Sequence, residues 1–384
     1  MENKFVRVID YPFRIFFLSA GCWAVLVIPL WVLGVTGVMS LPTALPLLSW
    51  HQHEMLFGFL NPAIAGFLLT AVCVWTGTDR THGTPLLLLW LLWLCGRLVM
   101  LFDLGLPPVL VVAINLLFLP MVILDAGRRV WRVRQRRQYV LLGALAMVWA
   151  AECGLLLFPM TGFDRSAMII VFAVMAVIGG RITPGFSAGW LRQRGGNADA
   201  VYSSTVLDLF ALITTLALGV LLLTPWDLVI LISAIACGLL HLVRIVLWRG
   251  WLVRSEPLLW ILHLALLWIP ISLFMLALGV AGWIPANLWI HGGGIGAIAT
   301  LILGVMSRVS LGHTGRPLVL PRGMVTAFVL IQVCVLVRVV TGLGAVDWQL
   351  GISVTAVLWV IPFALFVWRY ASVLTSARAD GKPG

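Results

Sequence analysis

The sequence has little charge and lacks the motifs that mark common enzymes. Only 10% of its 384 residues are charged and 62% are hydrophobic, with a mean hydropathy of +1.09. Because a soluble domain carries about 25% charged residues, this composition excludes a water-soluble protein. The chain has no Walker A loop, dinucleotide fingerprint, H-E-x-x-H motif, C-x-x-C-H haem-attachment motif or Ser/His/Asp esterase pattern. We therefore expect any chemistry to belong to a bound metal or haem.

The cysteines also lack the spacing of a metal or redox motif. Six are scattered through apolar segments, and no two form a C-x-x-C pair. We interpret them as small buried hydrophobic residues. The alternative that one of them serves as a soft copper ligand stays open. They are Cys22, Cys73, Cys95, Cys153, Cys237 and Cys334.

Long apolar runs fill most of the sequence. A helix needs roughly 20 apolar residues to cross a bilayer, and the chain accommodates about 12 such segments. We therefore predict an all-α, polytopic helical membrane protein that forms a single transmembrane domain over residues 1–384. The predicted spans are residues 13–33, 51–75, 84–102, 108–124, 139–158, 166–183, 201–223, 226–248, 257–280, 286–307, 323–341 and 348–368.

The net charge of +11 follows the membrane rather than a nucleic-acid surface. If the N-terminus is cytoplasmic, every second loop is basic, from Lys4 at one end to Lys382 at the other, while the intervening loops hold only Arg165. This positive-inside pattern predicts that both termini are cytoplasmic. The longest basic run, residues 128–137, is expected to contact lipid headgroups. Nucleic acid is excluded as a partner.

Six of the seven histidines lie in or beside the predicted spans, where ionisable groups are costly and usually functional. In the predicted topology His51, His53 and His291 enter their spans from the outer side. Imidazole is the commonest metal and haem ligand, so we predict an outer metal site from these three residues. His51 and His53 point to nearly opposite sides of a helix. Both serve one site only if the helix starts near His53; otherwise they serve different sites.

A second histidine group lies towards the cytoplasmic side. His241 and His263 occupy neighbouring antiparallel spans at similar depth, an arrangement that suits a bis-imidazole haem. His313, in the loop after the tenth span, is a further candidate ligand, whereas His82 is interpreted as a solvated loop residue. The alternative for any one membrane histidine is a hydrogen bond to a neighbouring helix.

Several arginines also fall inside the spans or at their ends. Guanidinium binds carboxylate in a bidentate manner, so we predict four arginines as partners of haem propionates. They are Arg97, Arg338, Arg308 and Arg316. For Arg97 and Arg338 the alternative is pairing with Glu152, Asp103 or loop carbonyls. For Arg308, as for Arg181 and Arg244, it is an ordinary positive-inside anchor.

Two segments are unusually rich in glycine or polar residues. Residues 291–296 read H-G-G-G-I-G, which favours either close approach of a flat macrocycle or helix packing through Gly292 and Gly296. Residues 307–317 combine glycine, hydroxyl and cationic side chains and are predicted to form an anion-binding nest. Glu54 and Asp208 are candidates to orient a ligating imidazole or to relay protons.

Taken together, the motifs resemble the NnrS family. Residues 50–59 read W-H-Q-H-E-M-L-F-G-F, and residues 308–318 read R-V-S-L-G-H-T-G-R-P-L, both similar to family signatures. Residues 65–77, the G-R-I-T-P run at 180–184 with W-L at 190–191, and residues 291–298 add to the resemblance, which spans nearly the whole chain. The chain departs from the family's H-A-L-T at residues 291–294 and from its P-N-W-T-G at residues 73–77.

The resemblance implies a haem- and copper-containing protein of the bacterial cytoplasmic membrane that responds to nitric oxide and nitrosative stress. The haem is expected to be b-type. Our leading hypothesis is a protective protein that binds nitric oxide or reduces it, as a nitric oxide reductase-like oxidoreductase would, with electrons from an unidentified donor. Two alternatives stay open. One is a non-catalytic haem or metal sensor or scavenger, and the other is a haem or metal transporter.

Overall fold

The described part of the chain forms helices joined by loops, which confirms the predicted all-α class. The structure is a computed structural model that describes residues 7–158 and 162–381, so Lys4 and Lys382 of the predicted charge pattern lie outside the described residues. No strand occurs in either described range. The α-helices are α1 (Pro12–Val35), α2 (Leu47–His53), α3 (Leu60–Thr76), α4 (Thr84–Leu101), α5 (Pro108–Arg132), α6 (Arg136–Leu157), α7 (Phe163–Gln193), α8 (Thr205–Leu221), α9 (Asp227–Leu247), α10 (Pro257–Val280), α11 (Leu288–His291), α12 (Thr300–His313), α13 (Met324–Gly342) and α14 (Trp348–Thr375).

The described residues contain twelve helical segments long and apolar enough to cross a membrane, which confirms the predicted number. Their ends differ from the predicted ones in three places that matter. The second segment begins at Leu47 rather than at residue 51, and the sixth continues to Gln193 rather than residue 183. The tenth runs through His313, so the prediction that this histidine lies in a loop is wrong. Hydropathy marks the apolar part of a helix, and the sixth and tenth helices extend into polar sequence beyond it.

The long sixth segment, α7, passes through Pro184, where a soluble helix would often stop. Proline removes one backbone donor, but side-chain hydroxyls in membrane helices can satisfy nearby backbone groups. Ser187 donates to the Thr183 carbonyl at 2.9 Å in this turn. The helix continues past Pro184 to Gln193, and it carries Ser187 to the side of a histidine described below.

The chain divides into two compact units, each assembled from separated segments. The first comprises Met1–Pro159, Met306–Ala327 and Trp359–Gly384, and the second comprises Met160–Val305 and Phe328–Leu358. Neither unit is one continuous stretch of sequence. The single domain over residues 1–384 stays a prediction.

In the first unit, α1 packs along α3 through close contacts at glycine. A Cβ on Gly66 would come within 2.8 Å of the Phe17 ring. Arg14, only 1% exposed, donates to the carbonyls of Leu374 and Ser376 at 2.7 and 2.8 Å. These bonds fasten the start of α1 to the end of α14.

Among the residues that the structure describes, two π-helices interrupt the α-helices, and each directly follows a histidine. The first, Glu54–Phe59, follows His53 between α2 and α3, and the second, Gly292–Ala299, follows His291 between α11 and α12. A π-turn shifts the backbone hydrogen-bond register, and such turns are frequent at functional sites. The two π-helices therefore indicate that His53 and His291 are candidate functional residues.

In the second unit, the glycine run of the second π-helix is used for packing. The π-helix lies against α10, and a Cβ on Gly293 would meet the Phe172 ring at 2.5 Å. A Cβ on Gly296 would run into the Trp268 ring. The sequence left two interpretations of residues 291–296, close approach of a flat macrocycle or helix packing. The structure shows helix packing.

Candidate functional site

His53 lies fully buried between two carboxylates in the first unit. Its Nδ1 is 3.0 Å from Glu54 Oε1, which is a hydrogen bond, and its Nε2 is 3.4 Å from Glu152 Oε1. Within the described part of the chain Nε2 makes no hydrogen bond. Glu54 is 0% exposed and Glu152 is 1% exposed. An imidazole nitrogen and a carboxylate oxygen thus face each other in the protein interior.

Arg97 neutralises one of these carboxylates. Its guanidinium donates to Glu54 Oε2 at 2.7 Å and to Asn115 Oδ1 at 2.6 Å. Asn115 is held in turn by the Val111 carbonyl, to which its Nδ2 donates at 2.9 Å. Gly58 of the first π-helix makes room for the pair, because a Cβ there would run into the guanidinium.

We name these residues the buried charge cluster: His53, Glu54, Arg97, Asn115 and Glu152. For Arg97 the sequence left two interpretations, a haem propionate partner or an ion pair within the protein. The structure shows an ion pair, but with Glu54 rather than Glu152 or Asp103. Glu54 bonds the imidazole, as predicted for a residue that orients it. With His53 neutral, two carboxylates and one guanidinium leave one formal negative charge, which a bound cation or a proton would balance.

A small cavity adjoins the cluster. Its volume is about 10 Å³, close to the space that one water molecule needs. Phe57, Trp93 and Phe118 form apolar parts of its wall, and Arg97 and Glu152 form polar parts. Trp93 also donates from Nε1 to the Gly58 carbonyl of the first π-helix at 3.0 Å. The cluster therefore opens on a space too small for a haem.

His51 lies apart from this cluster although it is two residues from His53. Its ring stacks on Trp31 with centroids 4.2 Å apart and planes at 25°. Because α2 begins at Leu47, both histidines are in regular helix and point to different surroundings. His291, partly buried, ends α11 in the second unit. The outer metal site predicted from His51, His53 and His291 stays a prediction.

His241, in the second unit, has a partner on each ring nitrogen. Nδ1 lies 3.2 Å from Arg244 NH1, and Nε2 lies 2.9 Å from Thr215 Oγ1. Guanidinium only donates, so Nδ1 is the acceptor and Nε2 carries the proton. The Thr215 hydroxyl in turn donates to the Ala211 carbonyl at 2.6 Å. Both ring nitrogens of this imidazole are therefore hydrogen-bonded, Nε2 as donor and Nδ1 as acceptor.

Asp208 fixes Arg244 in this arrangement. One carboxylate oxygen of Asp208 accepts from Arg244 Nε at 2.9 Å and from NH2 at 2.8 Å. Arg244 NH2 also donates to the Ala176 carbonyl at 3.1 Å, and Gly180 leaves room for it, since a Cβ there would come within 2.5 Å. Asp208 thus contacts His241 only through Arg244, and its predicted role in orienting a ligating imidazole or relaying protons stays a prediction. It does not touch the ring itself.

His263, 7% exposed, bonds a different helix. Its Nε2 lies 2.9 Å from Ser187 Oγ, and because Ser187 donates to Thr183, the histidine is the donor. Its Nδ1 has no hydrogen-bond partner among the described residues, but a Cβ on Gly250 would come within 2.6 Å of that atom. The Nδ1 lone pair therefore faces Gly250, with too little space between them for a methyl group.

The hydrogen bonds of His241 and His263 occupy Nε2 of both rings. Each ring uses Nε2 to donate a hydrogen bond, and the lone pair on His263 Nδ1, which accepts no hydrogen bond, faces Gly250. Ligation of an iron through Nε2 of both imidazoles would require both to change partners. The bis-imidazole pairing stays a prediction, and the structure shows the alternative of hydrogen bonds to neighbouring helices.

The remaining candidates lie elsewhere. The His313 ring packs against Phe13 at 5.6 Å, and its carbonyl accepts from Arg378 at 2.9 Å. Arg308 lies within α12, and Arg316 follows that helix, with NH1 3.5 Å from the Thr314 carbonyl. Arg338 lies within α13 in the second unit. Their role with propionates stays a prediction.

Residues 307–317 do not form the predicted open nest, because α12 includes residues up to 313. The turn that follows contains Gly315, at φ +68°. The chain's C-terminal segment covers this turn. Ala379 N donates to the Thr314 carbonyl at 2.9 Å, and a Cβ on Gly315 would come within 2.5 Å of the Asp380 carboxylate carbon. The ion pair with Asp380 raises the pKa of Arg378.

Thr215→Val tests the hydrogen bonds assigned to His241. Loss of the hydroxyl leaves a buried N–H without an acceptor, so we expect the free energy of unfolding to fall by about 1–3 kcal/mol. The same change at the adjacent Thr214, whose hydroxyl bonds the Phe210 carbonyl, should cost less than about 0.5 kcal/mol. Denaturant titrations in detergent would compare the two. Equal stabilities, with a change in a haem spectrum for Thr215→Val alone, would show that His241 Nε2 binds iron instead.

Sequence reasoning overlooked the amides and hydroxyls that complete these sites. Asn61 and Asn115 are buried amides within apolar spans, and Thr215 and Ser187 are the hydroxyls that bond the two inner histidines. Asparagine is rare enough in an apolar span to have served as a signal. Threonine and serine are not, because they bond their own helix in many membrane spans.

A metal ion would find few protein donors here. No group of three or more histidine, cysteine, aspartate or glutamate side chains that could hold a metal ion occurs within residues 7–158 and 162–381. At His53 the donor types, imidazole nitrogen and carboxylate oxygen, nevertheless suit copper.

The comparison with protein families matches nearly the whole chain. A family model described as NnrS protein matches residues 7–378. No curated protein matches the chain. The match covers both compact units, including the buried charge cluster and both π-helices.

Proposed function

The chain belongs to the NnrS family, and from this membership we propose that it protects bacteria against nitric oxide at the cytoplasmic membrane. The buried charge cluster is the site that we propose for this function. Nitric oxide is small and uncharged, so it can reach a site at membrane depth without a polar channel. The proposed activity is binding of nitric oxide, with its reduction where an electron donor is present.

The observation that carries this proposal is the His53 imidazole held between Glu54 and Glu152. Ionisable groups at membrane depth are costly, and those present usually serve an ion, a proton or a ligand. Here four ionisable side chains meet beside a π-helix and a small cavity. Packing alone would be served as well by apolar residues.

Copper is the metal that we propose for this site. His53 Nε2 and Glu152 would hold it, and its positive charge would offset the formal negative charge of the cluster. With two protein donors, further coordination positions are left to water or another small ligand. When bound, copper supplies one-electron redox chemistry. Haem of b-type is the second proposed cofactor; its support is family membership, and the inner histidines would have to change partners to ligate it.

The residues around the proposed copper site have separate tasks. Glu54 fixes the His53 ring through Nδ1, so that Nε2 faces Glu152. Arg97 holds Glu54 in place through the contact at 2.7 Å. Reduction of two nitric oxide molecules to nitrous oxide and water consumes two electrons and two protons, and the protons would have to come from groups other than the copper ligands. The electrons would come from an unidentified donor.

His53→Ala tests the proposal against a matched control, His82→Ala. His82 is an exposed loop histidine, so its removal should change nothing at the site. We expect purified wild type and His82→Ala to contain copper and to show optical changes with nitric oxide, and His53→Ala to lose copper. Metal analysis, a pyridine haemochrome and reduced-minus-oxidised spectra would measure this.

The measured spectra and copper contents distinguish reduction of nitric oxide from binding of nitric oxide alone. Spectral changes that relax under an electron donor would support reduction, and stoichiometric saturation would support binding alone. Equal copper in both variants would remove His53 from the site. Wild-type protein with neither haem nor copper, and no response to nitric oxide, would overturn the proposed function.

A further inference from the structure

Three buried polar atoms around the small cavity have no hydrogen-bond partner among the described residues. They are Asn61 Oδ1, Arg97 Nε and Glu152 Oε2. Asn61, Arg97 and Glu152 are 3%, 4% and 1% exposed, and all three line the cavity. Buried polar atoms are rarely left unsatisfied, because each has lost its contacts with water. Their common position at one cavity indicates a shared partner.

We propose that one resident water molecule occupies this cavity. The volume, about 10 Å³, suits a single water. The hydrogen-bonding groups also match, since two of the atoms accept and one donates. A water molecule would donate to Asn61 Oδ1 and to Glu152 Oε2, and accept from Arg97 Nε. Three hydrogen bonds are typical of a buried water.

Such a water closes a ring of hydrogen-bonding groups. The contacts present run from Glu152 Oε1 to His53 Nε2, from His53 Nδ1 to Glu54, and from Glu54 to Arg97. The gap in the ring lies between Arg97 and Glu152. The water spans it, so that Asn61 and the water together position Glu152 against His53. Asn61 is then a positioning residue for the cluster.

Other occupants match the cavity less well. A cation would meet the Arg97 guanidinium, which carries a fixed positive charge. An apolar ligand of the same size would leave all three polar atoms unsatisfied. Water is therefore the occupant that satisfies each group without adding charge.

A cryo-EM map that resolves ordered waters would test the site in the wild-type protein. We expect one density peak within hydrogen-bond distance of Asn61 Oδ1, Arg97 Nε and Glu152 Oε2. An empty cavity would overturn the proposal. A peak with the anomalous signal of a metal in crystals would overturn it as well, and would extend the proposed copper site. This map is independent of nitric oxide chemistry, so the water site and the proposed function can fail separately.

Asn61→Leu gives a second test, because leucine has a similar size but no acceptor. Infrared spectra in H2(18)O and H2(16)O identify bands of bound water by their isotope shift. We expect a shifted band in the wild type that is lost in Asn61→Leu and kept in Leu92→Val, a change in the apolar wall of the same cavity. A band that survives in Asn61→Leu would contradict the proposed position. If Asn61→Leu does not fold, the wild-type map decides.

Discussion

Arg97→Leu is expected to lower the free energy of unfolding by about 3–5 kcal/mol, because it strips a buried carboxylate of its counter-charge. Arg97 donates to both Glu54 and Asn115, and Glu54 is 0% exposed. Without the guanidinium, Glu54 keeps only the His53 bond, and Asn115 Oδ1 loses its donor. Leucine also cannot fill the space that Gly58 leaves for the guanidinium. Denaturant titration in detergent would measure the loss.

Arg129→Leu is the matched control for this prediction. Arg129 forms an ion pair with Asp125 one turn away, at 3.2 Å, but the side chains are 17% and 30% exposed. The pair is partly exposed to solvent, and Arg129 also donates to the Thr81 hydroxyl at 2.7 Å, so its loss should cost about 1–2 kcal/mol, less than the loss of Arg97. Comparable losses for Arg97 and Arg129 would mean that Glu54 is not charged in the folded protein, or that water reaches the cluster.

The double variant Arg97→Leu/Glu54→Leu separates the pair from the rest of the cluster. Replacing both members of a buried ion pair with apolar residues is often close to neutral, whereas removing one is not. We therefore expect the double variant to be more stable than Arg97→Leu alone. Full recovery is not expected, because His53 Nδ1 loses the acceptor that Glu54 provides. A double variant less stable than the single one would contradict this account.

The architecture could be predicted because a single physical quantity, hydropathy, marks each membrane helix. Hydropathy predicts the twelve segments, and the segments in turn show which histidines lie near their ends. The partner of Arg97 could not be predicted, since Glu54, Glu152 and Asp103 are equally suitable in the sequence. The π-turn at Glu54–Phe59 and the gap at Gly58 select Glu54, and neither has a signal in composition or periodicity.

The ring orientations of the inner histidines, His241 and His263, could not be predicted from the sequence either. Their similar depth in neighbouring helices could be predicted, and α9 does pack along α10. Which way each ring turns depends on Thr215 and Arg244 for His241 and on Ser187 for His263. The positions of the apolar spans in the sequence do not determine such side-chain rotamers. The sequence is therefore equally compatible with a haem shared by the two histidines and with two separate hydrogen bonds.

Gly296→Ala is expected to destabilise the protein by about 1–3 kcal/mol, with larger losses where the structure cannot relax. The added Cβ would run into the Trp268 ring. That ring is fixed, since its Nε1 donates to Gln332 Oε1 at 2.9 Å, and Gln332 donates to the Thr300 hydroxyl at 3.0 Å. Thr300 donates in turn to the Ile295 carbonyl of the second π-helix at 3.1 Å. Movement of the ring would therefore disturb the bonds that hold the π-turn.

Gly294→Ala in the same π-helix provides the control. There the nearest atom to an added Cβ is Met168 Cε at 3.7 Å, an ordinary contact. Because alanine has less backbone freedom in the unfolded chain, this variant should be neutral or up to about 1 kcal/mol more stable than wild type. Opposite signs for two identical substitutions two residues apart would show that Gly296 is required for packing against Trp268. Equal effects would mean that the glycine run serves the π-turn itself, whose backbone would then resist any side chain at either position.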